Sequence, residues 1–328
     1  MKFLIAGFGS AGRRHLRNLL ALGEQDILLY RSGHSTLPLE ELESYPVFTN
    51  LHQALEEKPD AVIVANITSA HLDVAIPAAR QGCHILMEKP ISHSLERLDD
   101  LQSAINESGS KVLVGYQFRF HPCFKQIRRW LEEGTIGRPL SARAHYGDYM
   151  PGWHPWEDYR TTYSAVPGMG GGAVLTLCHP IDYLRWFLGE VENVYAFTGN
   201  IANLDIHSED VAEILLQFGN GAVGSIHLDY YQRPPSYRFE IIGTDGTVKW
   251  DHADNFARLF RAKTGCWEMI SAPSGFERND LFKDEIRHFI NMIKWNEEPN
   301  IPLEDGIQVL KIALAALESG SRKRPIQL

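Results

Sequence analysis

Glu88-Lys89-Pro90 stands where an apolar run, Cys83 to Met87, comes to an end. In an open α/β sheet the carboxyl end of a strand faces the crevice in which ligands bind. A lysine there can hold a substrate hydroxyl and stabilise the negative charge that develops on its oxygen. The plain alternative is a surface lysine after a strand. A second candidate, Gly7-Phe8-Gly9-Ser10-Ala11-Gly12, is a GxGxxG between an apolar strand-like run and a helical one. There the first glycine makes a tight turn, the second lets backbone approach a pyrophosphate, and the third lets the helix pack close to the sheet. The amide groups at the helix start then hold phosphates.

Cofactor choice is read at the end of the second strand, where a carboxylate bonds the ribose 2'-hydroxyl of NAD. Here the sequence has Tyr30-Arg31-Ser32. With no carboxylate, and with a guanidinium able to pair with a 2'-phosphate, NADP is favoured over NAD. Arg31 stacking on the adenine or lying in solvent is the alternative.

The elements that position these residues fall into two rhythms. Over the first third, strands at Lys2 to Ala6, Asp26 to Tyr30, Ala61 to Ala65, His84 to Met87 and Lys111 to Tyr116 alternate with helices at Ala11 to Leu22, Leu51 to Glu57, His71 to Gln81 and Leu95 to Ser108. Strands apolar on both faces, alternating with helices, imply an α/β fold: a doubly wound parallel Rossmann sheet. After Phe118 a helix from Pro122 to Glu133 leads into strands joined by tight turns such as Gly219-Asn220-Gly221. Ala222 to Tyr230 alternates between two unlike faces. The second region is therefore α+β with a large, mostly antiparallel open sheet, closed by helices at Phe282 to Lys294 and Glu304 to Glu318. The expected division is a cofactor domain over 1–118 and a substrate-binding and self-association domain over 119–328.

Composition narrows the classes. The 328 residues are 44% apolar, and the net charge of −9 argues against a nucleic-acid partner, whose phosphates need a basic stripe. No run approaches the roughly 20 apolar residues of a membrane span. Cys83, Cys123, Cys178 and Cys266 show no CxxC pairing, which fits a reducing cytoplasm. His145, His154, His207 and His227 show no ligand spacing, so no metal is assigned.

Five pieces spread over almost the whole chain resemble the Gfo/Idh/MocA oxidoreductases, the glucose-fructose oxidoreductase, inositol dehydrogenase and rhizopine-catabolism group. They are the glycine motif, Ala65-Asn66-Ile67-Thr68-Ser69-Ala70-His71, Gly82 through Pro90, Gly115-Tyr116-Gln117-Phe118-Arg119-Phe120-His121-Pro122, and Gly170-Gly171-Gly172 leading to His179 and Asp182. The resemblance implies hydride transfer between a nicotinamide and a secondary hydroxyl or ketone of a sugar, cyclitol or nucleotide sugar. It implies that Lys89 holds the reacting oxygen, often after a cis Lys-Pro bond, and that Glu88, Asn66, Thr68, His71 and Gln117 join Arg31 and Ser32 at the cofactor. It implies that His179 moves the proton, and dimers or tetramers formed through the second sheet. A structural histidine is the alternative for His179.

The sequence departs from that family at one position. Many relatives carry an aspartate three or four residues before the histidine, and three before it here is Thr176. A threonine can hydrogen-bond substrate but is no base at neutral pH, so weight falls on His179. Pro180 starts or kinks a helix there, and Asp182 either orients the imidazole or fixes that helix. The aromatic stretch 147–160 looks like a loop of sugar-modifying relatives. With Tyr116, Arg119 and Asp182, its residues Trp156, Tyr159 and Arg160 are candidates to line a carbohydrate pocket. The alternative is that Trp153 and Trp156 fill the loop's own small core. Two rival functions stay open: a glycoside hydrolase that oxidises its sugar transiently on bound NAD, and a non-catalytic cofactor-sensing protein.

Overall fold

The computed structural model describes residues 1–33 and 42–328. The chain divides into two compact units, Met1–Gln117 with Arg278–Leu310, and Phe118–Glu277 with Lys311–Leu328.

In the first unit the elements run β1 (Lys2–Ala6), α1 (Ser10–Ala21), β2 (Asp26–Tyr30), β3 (Val47–Phe48), α2 (Leu51–Glu56), β4 (Ala61–Val64), α3 (His71–Arg80), β5 (His84–Met87), α4 (Leu98–Ser108) and β6 (Val112–Val114). Among the described residues the sheet has six strands in the order β3-β2-β1-β4-β5-β6, with every pairing parallel. Helices on both faces bury both sides of the central strands, which is why Phe3, Leu4, Ile5 and the whole of β4 have no exposed surface. β1 lies between β2 and β4, so the chain reverses direction across the sheet at the end of β1. That end carries the glycine motif, as the rule for ligand sites in open sheets requires.

In the second unit α5 (Pro122–Glu132) precedes β7 (Pro139–Gly147), α6 (Ala173–Thr176) and α7 (His179–Leu188). β8 (Val191–Gly199), β9 (Val211–Phe218), β10 (Val223–Asp229), β11 (Ser236–Gly243), β12 (Gly246–Asp251), β13 (Phe256–Arg261) and β14 (Cys266–Ser271) follow. Then come α8 (Arg278–Lys294), which belongs to the first unit, α9 (Leu303–Arg322), and β15 (Ile326–Gln327). Among the described residues the second sheet has nine strands, β14-β13-β12-β11-β7-β10-β9-β8-β15, antiparallel except for β7 with β10. Its inner face, with Ala144, Ile226, Phe239 and Trp250, packs against α5, α6 and α7. The outer face carries polar residues with scattered apolar ones, including Phe197, Leu215 and Val223. No helix among the described residues is long and apolar enough to cross a membrane.

One expectation is corrected. The break after Gln117 lies one residue from the expected division, but the second region does not keep all of 119–328: residues 278–310 pack with the first unit. α8 buries Leu281, Phe282, Ile286 and Phe289 and packs on α1, and Val114 donates its N–H to Ile301 O at 2.9 Å. Periodicity shows that a helix has an apolar face, but not which distant sheet that face will cover.

Candidate active site

The glycine motif is built by backbone contact. Gly7 has φ +96, and a Cβ on it would lie 2.5 Å from Asn66 N. A Cβ on Gly12 would lie 2.0 Å from Gly7 O, so the helix can approach the loop only without a side chain there. At Gly9 an added Cβ meets nothing within 4 Å. Gly9 and Ser10 are exposed at the start of α1, while Phe8 is buried beneath the Arg13 guanidinium, 4.8 Å from its ring centroid. The open side of Gly9 and the amide groups of α1 fit a dinucleotide pyrophosphate. Asn66 beside Gly7 donates from Nδ2 to Ala70 O at 2.9 Å, and its buried Oδ1 has no partner among the described residues. An unmet buried acceptor is costly, which suits a donor group on a bound ligand. Arg31 and Ser32 follow β2, half-buried and exposed respectively.

Glu88 follows β5 and turns back to α1. Its Oε1 accepts from His15 Nε2 at 2.8 Å and from Arg14 Nη2 at 3.1 Å. Burial alone would raise this carboxyl, but the His15 hydrogen bond and the charges of Arg14, His15 and Lys89 hold it well below the usual carboxylate range. Glu88 is therefore ionised and anchored, and the next residue, Lys89, is half-buried with a cis bond to Pro90. His71 serves the same turn. Its Nδ1 lies 3.0 Å from Pro90 O and its Nε2 3.2 Å from Asn66 O, with the ring buried. Burial lowers the pKa of the ring, so the neutral imidazole donates to one of these two main-chain carbonyls of its own unit and lies between the Asn66 loop and the Lys89-Pro90 turn. Thr68, Gln117 and Tyr116 are also buried, Tyr116 completely. The expectation that Tyr116 lines a substrate pocket is corrected: it is a core residue of the first unit.

Sequence reasoning missed Glu285. This residue of α8 is buried, its Oε1 has no partner among the described residues, and burial with the nearby Glu88 charge pushes its carboxyl well above the ordinary range, against Arg14. Arg14 lies 3.8 Å over the ring of Phe282 on the same helix. No local signal in the sequence could place α8 beside Glu88.

In the second unit the glycine triplet leads to α6, which ends at Thr176, and α7 starts at His179 with Pro180 in its first turn, where a missing N–H costs nothing. The His179 ring is buried, edge-on to Phe118 at 5.1 Å between centroids and tilted to Tyr146 at 5.8 Å. Asp182 does not stand free to meet a substrate. Arg119 donates from Nη2 to Asp182 Oδ1 at 2.6 Å and from Nε to Oδ1 and Oδ2 at 3.1 and 3.2 Å. The two side chains are 4% and 1% exposed, so the assignment of both to substrate binding is corrected: they form a buried ion pair that fixes α7.

The aromatic loop is mostly self-contained. Tyr159 OH donates to Leu204 O at 2.9 Å, and Arg160 pairs with Asp158 at 2.8 Å and Asp205 at 3.3 Å. Trp153 packs edge-on to Tyr230 at 5.4 Å, which makes it a core residue of its loop, whereas Trp156 is 56% exposed. Of this group Trp156 has the open apolar face that stacking on a sugar ring uses. Glu209, which the sequence did not single out, meets the glycine triplet: Val174 N–H donates to its Oε1 at 3.1 Å.

Strand register also joins residues that spacing kept apart. His227 of β10 pairs with His145 of β7 and with Glu213 of β9, on the outer face of the sheet. His227 donates from Nδ1 to Glu213 Oε1 at 2.5 Å and from Nε2 to Asp229 Oδ2 at 3.0 Å. The Asp229 hydrogen bond, with Glu213, raises the His227 pKa above the usual histidine value against burial. Ligand atoms of His145, His227 and Asp229 lie within 4.8 Å of one another. The two imidazoles are stacked, however, with centroids 4.6 Å apart and planes at 17°, so their in-plane lone pairs do not converge on one ion.

Comparison with known proteins agrees with this architecture. Residues 1–116 match the oxidoreductase family with an NAD-binding Rossmann fold, and residues 124–249 match the GFO/IDH/MocA C-terminal domain. The chain is 28% identical over 343 residues to a myo-inositol 2-dehydrogenase of Thermotoga maritima, covering 100% of this chain and 98% of that protein. It is 26% identical over 343 residues to an NAD(+)-dependent scyllo-inositol 2-dehydrogenase of Bacillus subtilis, covering 99% and 95%. A solved levoglucosan dehydrogenase in complex with NADH shares the fold over 100% of this chain and 98% of its own, with a TM-score of 0.87 at 20% identity. Over both of its units, the chain belongs to the GFO/IDH/MocA family of NAD(P)-dependent oxidoreductases.

Proposed function

We propose that this oxidoreductase interconverts a secondary hydroxyl and the matching ketone on a sugar, cyclitol or nucleotide sugar. The observation that carries the reading is the turn after β5. An ionised Glu88 is anchored to α1, His71 grips the following turn, and the half-buried ammonium of Lys89 stands at the carboxyl end of a central strand. Full-length similarity to two inositol dehydrogenases supports the substrate class. Nicotinamide, when bound, takes the hydride from the carbon that carries the hydroxyl. Lys89 holds the oxygen of that hydroxyl and stabilises its negative charge as the C–H bond breaks. His179 takes the hydroxyl proton and returns it in the reverse direction. Thr176 hydrogen-bonds without exchanging that proton, and Trp156 offers a stacking face.

We assign NADP over NAD on the strength of Arg31-Ser32, which put a guanidinium and no carboxylate at the end of β2. The outer face of the second sheet is the self-association surface: Phe197, Leu215 and Val223 are exposed beside the charged centre formed by Arg143, Glu213, Arg238 and Glu240. The test is a screen of sugars, cyclitols and nucleotide sugars with both cofactors at the nicotinamide absorbance band. Lys89→Met should then lower turnover about 10²–10³-fold while cofactor binding persists. Retained turnover refutes the role of Lys89, and tighter binding of NAD(H) than NADP(H) refutes that of Arg31. Product formed with no net absorbance change points to transient oxidation.

A further inference from the structure

One residue from a distant part of the chain holds the turn that leads to Thr176 and His179. Gly172, the last of the glycine triplet, has φ +108, and a Cβ on it would lie 2.3 Å from Glu209 Oε1. Ala173 donates its N–H to the Glu209 main-chain carbonyl at 3.0 Å, and Val174 donates to Glu209 Oε1 at 3.1 Å. The first two amides of α6, which have no partner within their own helix, are thus satisfied by a single residue. Tyr230 closes the other side: its hydroxyl donates to Ser164 O at 3.2 Å and also meets the Thr176 side chain and the Gly172 main chain.

We propose that Glu209 is a positioning residue for the reaction, clamping the Gly172–Thr176 turn and so setting where Thr176 and His179 stand; the proposal rests on the function assigned above. Two features set Glu209 apart from an ordinary helix cap. The residue keeps some exposed surface, and burial of its carboxyl, opposed by the hydrogen bonds from main-chain amides and helped by the charge of Asp210, pushes it up to about 7. Its charge therefore changes in the range in which a dehydrogenase works. Among the described residues, the titratable groups that act on it are Asp210 from its own segment and Tyr230, which follows β10; Tyr163 acts on Tyr230 in turn, and α6 carries none. An ionised carboxylate is the stronger acceptor for Val174 N–H, so the turn is held more firmly as pH rises through neutrality.

The experiment compares Glu209→Ala and Glu209→Gln with the unaltered chain, measuring kcat, KM and cofactor binding across pH, and amide exchange at residues 172–176. Glu209→Ala should lower kcat about 100-fold, the effect of misplacing a reacting group by about 1 Å, with cofactor affinity unchanged. Glu209→Gln keeps a neutral acceptor for Val174, so it should recover part of that loss, and the protection of amides 172–176, which in the unaltered chain should strengthen as pH rises through neutrality, should not change with pH in that variant. Amide exchange at 172–176 should quicken in both variants, more in Ala. A kcat of the Ala variant within about twofold of the unaltered chain, amide protection at 172–176 in the Gln variant that still strengthens through neutral pH, or unchanged exchange overturns the proposal. If no polyol is turned over by the unaltered chain, the assigned reaction fails, while the exchange measurement still decides the role of Glu209. If the Ala variant does not fold, the Gln variant carries the test.

Discussion

The glycine-rich loop of the first unit and the side-chain clusters of the second unit are assembled in opposite ways. Gly7, Gly9 and Gly12 lie within six consecutive residues, and their work is done by backbone: a positive φ, an open approach and a close helix contact. Arg119 and Asp182, or His145, Glu213 and His227, come from separate elements and meet only because helices pack and strands align. The loop tolerates only changes that leave the backbone path open. The clusters depend on charge being matched at a distance along the chain.

The sharpest break in the second kind of assembly is Arg119→Met. It leaves the Asp182 carboxylate buried without its cation, and should cost about 3–5 kcal/mol in urea unfolding. Adding Asp182→Leu should recover most of that loss, because a charge pair replaced by apolar groups of similar volume leaves nothing unpaired. A double variant no better than the single one would mean that the pair does more than neutralise itself.

Gly12→Ala and Gly9→Ala sharpen the first kind. The Cβ at Gly12 meets the Gly7 carbonyl oxygen at 2.0 Å, so that variant should lose about 1–3 kcal/mol of stability together with cofactor affinity. The Cβ at Gly9 meets nothing within 4 Å, so Gly9→Ala should melt like the unaltered chain and still bind NAD(P) less well. Equal melting losses for the two would show that Gly9, like Gly12, serves the fold.

The smallest effect concerns His227. Its hydrogen bonds to Asp229 and Glu213 raise its pKa in the folded protein, so it contributes stability that is complete below the unfolded histidine value and is lost as pH rises through the raised one. The contribution of such a partly exposed cluster is about 0.2–1 kcal/mol. In thermal melts His227→Gln should be less stable than the unaltered chain near pH 6 and approach it near pH 9. A deficit that stays constant with pH would show that packing against His145, not charge, is what His227 provides.

Much of the fold was legible in the sequence because its signals are local. Both-face apolar strands separated by helices appear as the parallel sheet, and the alternation from Ala222 to Tyr230 appears as β10 with a buried inner face. Pro180 marked the start of α7 because a ring without an N–H is accommodated there. The candidate site was legible in part. Arg119 and Asp182, named as pocket residues, neutralise each other; His71 is buried between two main-chain carbonyls; Tyr116 is core. Each has a side chain able to bind a ligand, but burial or a partner from elsewhere in the chain takes up that capacity. Glu209 and Glu285 went unnoticed for the same reason, since neither has a neighbour in the chain that reveals its buried surroundings.

By itself, the order of residues determined what depends on adjacent backbone: the glycine turn, the strand that ends at Lys89, and the helix that begins at His179. Only the tertiary structure decided which charges are matched, that α8 covers the first unit, and that Glu209 holds the amides of Ala173 and Val174. Backbone conformation is set by steric contacts between neighbouring residues, whereas burial and electrostatic pairing act through space and have no trace in local spacing.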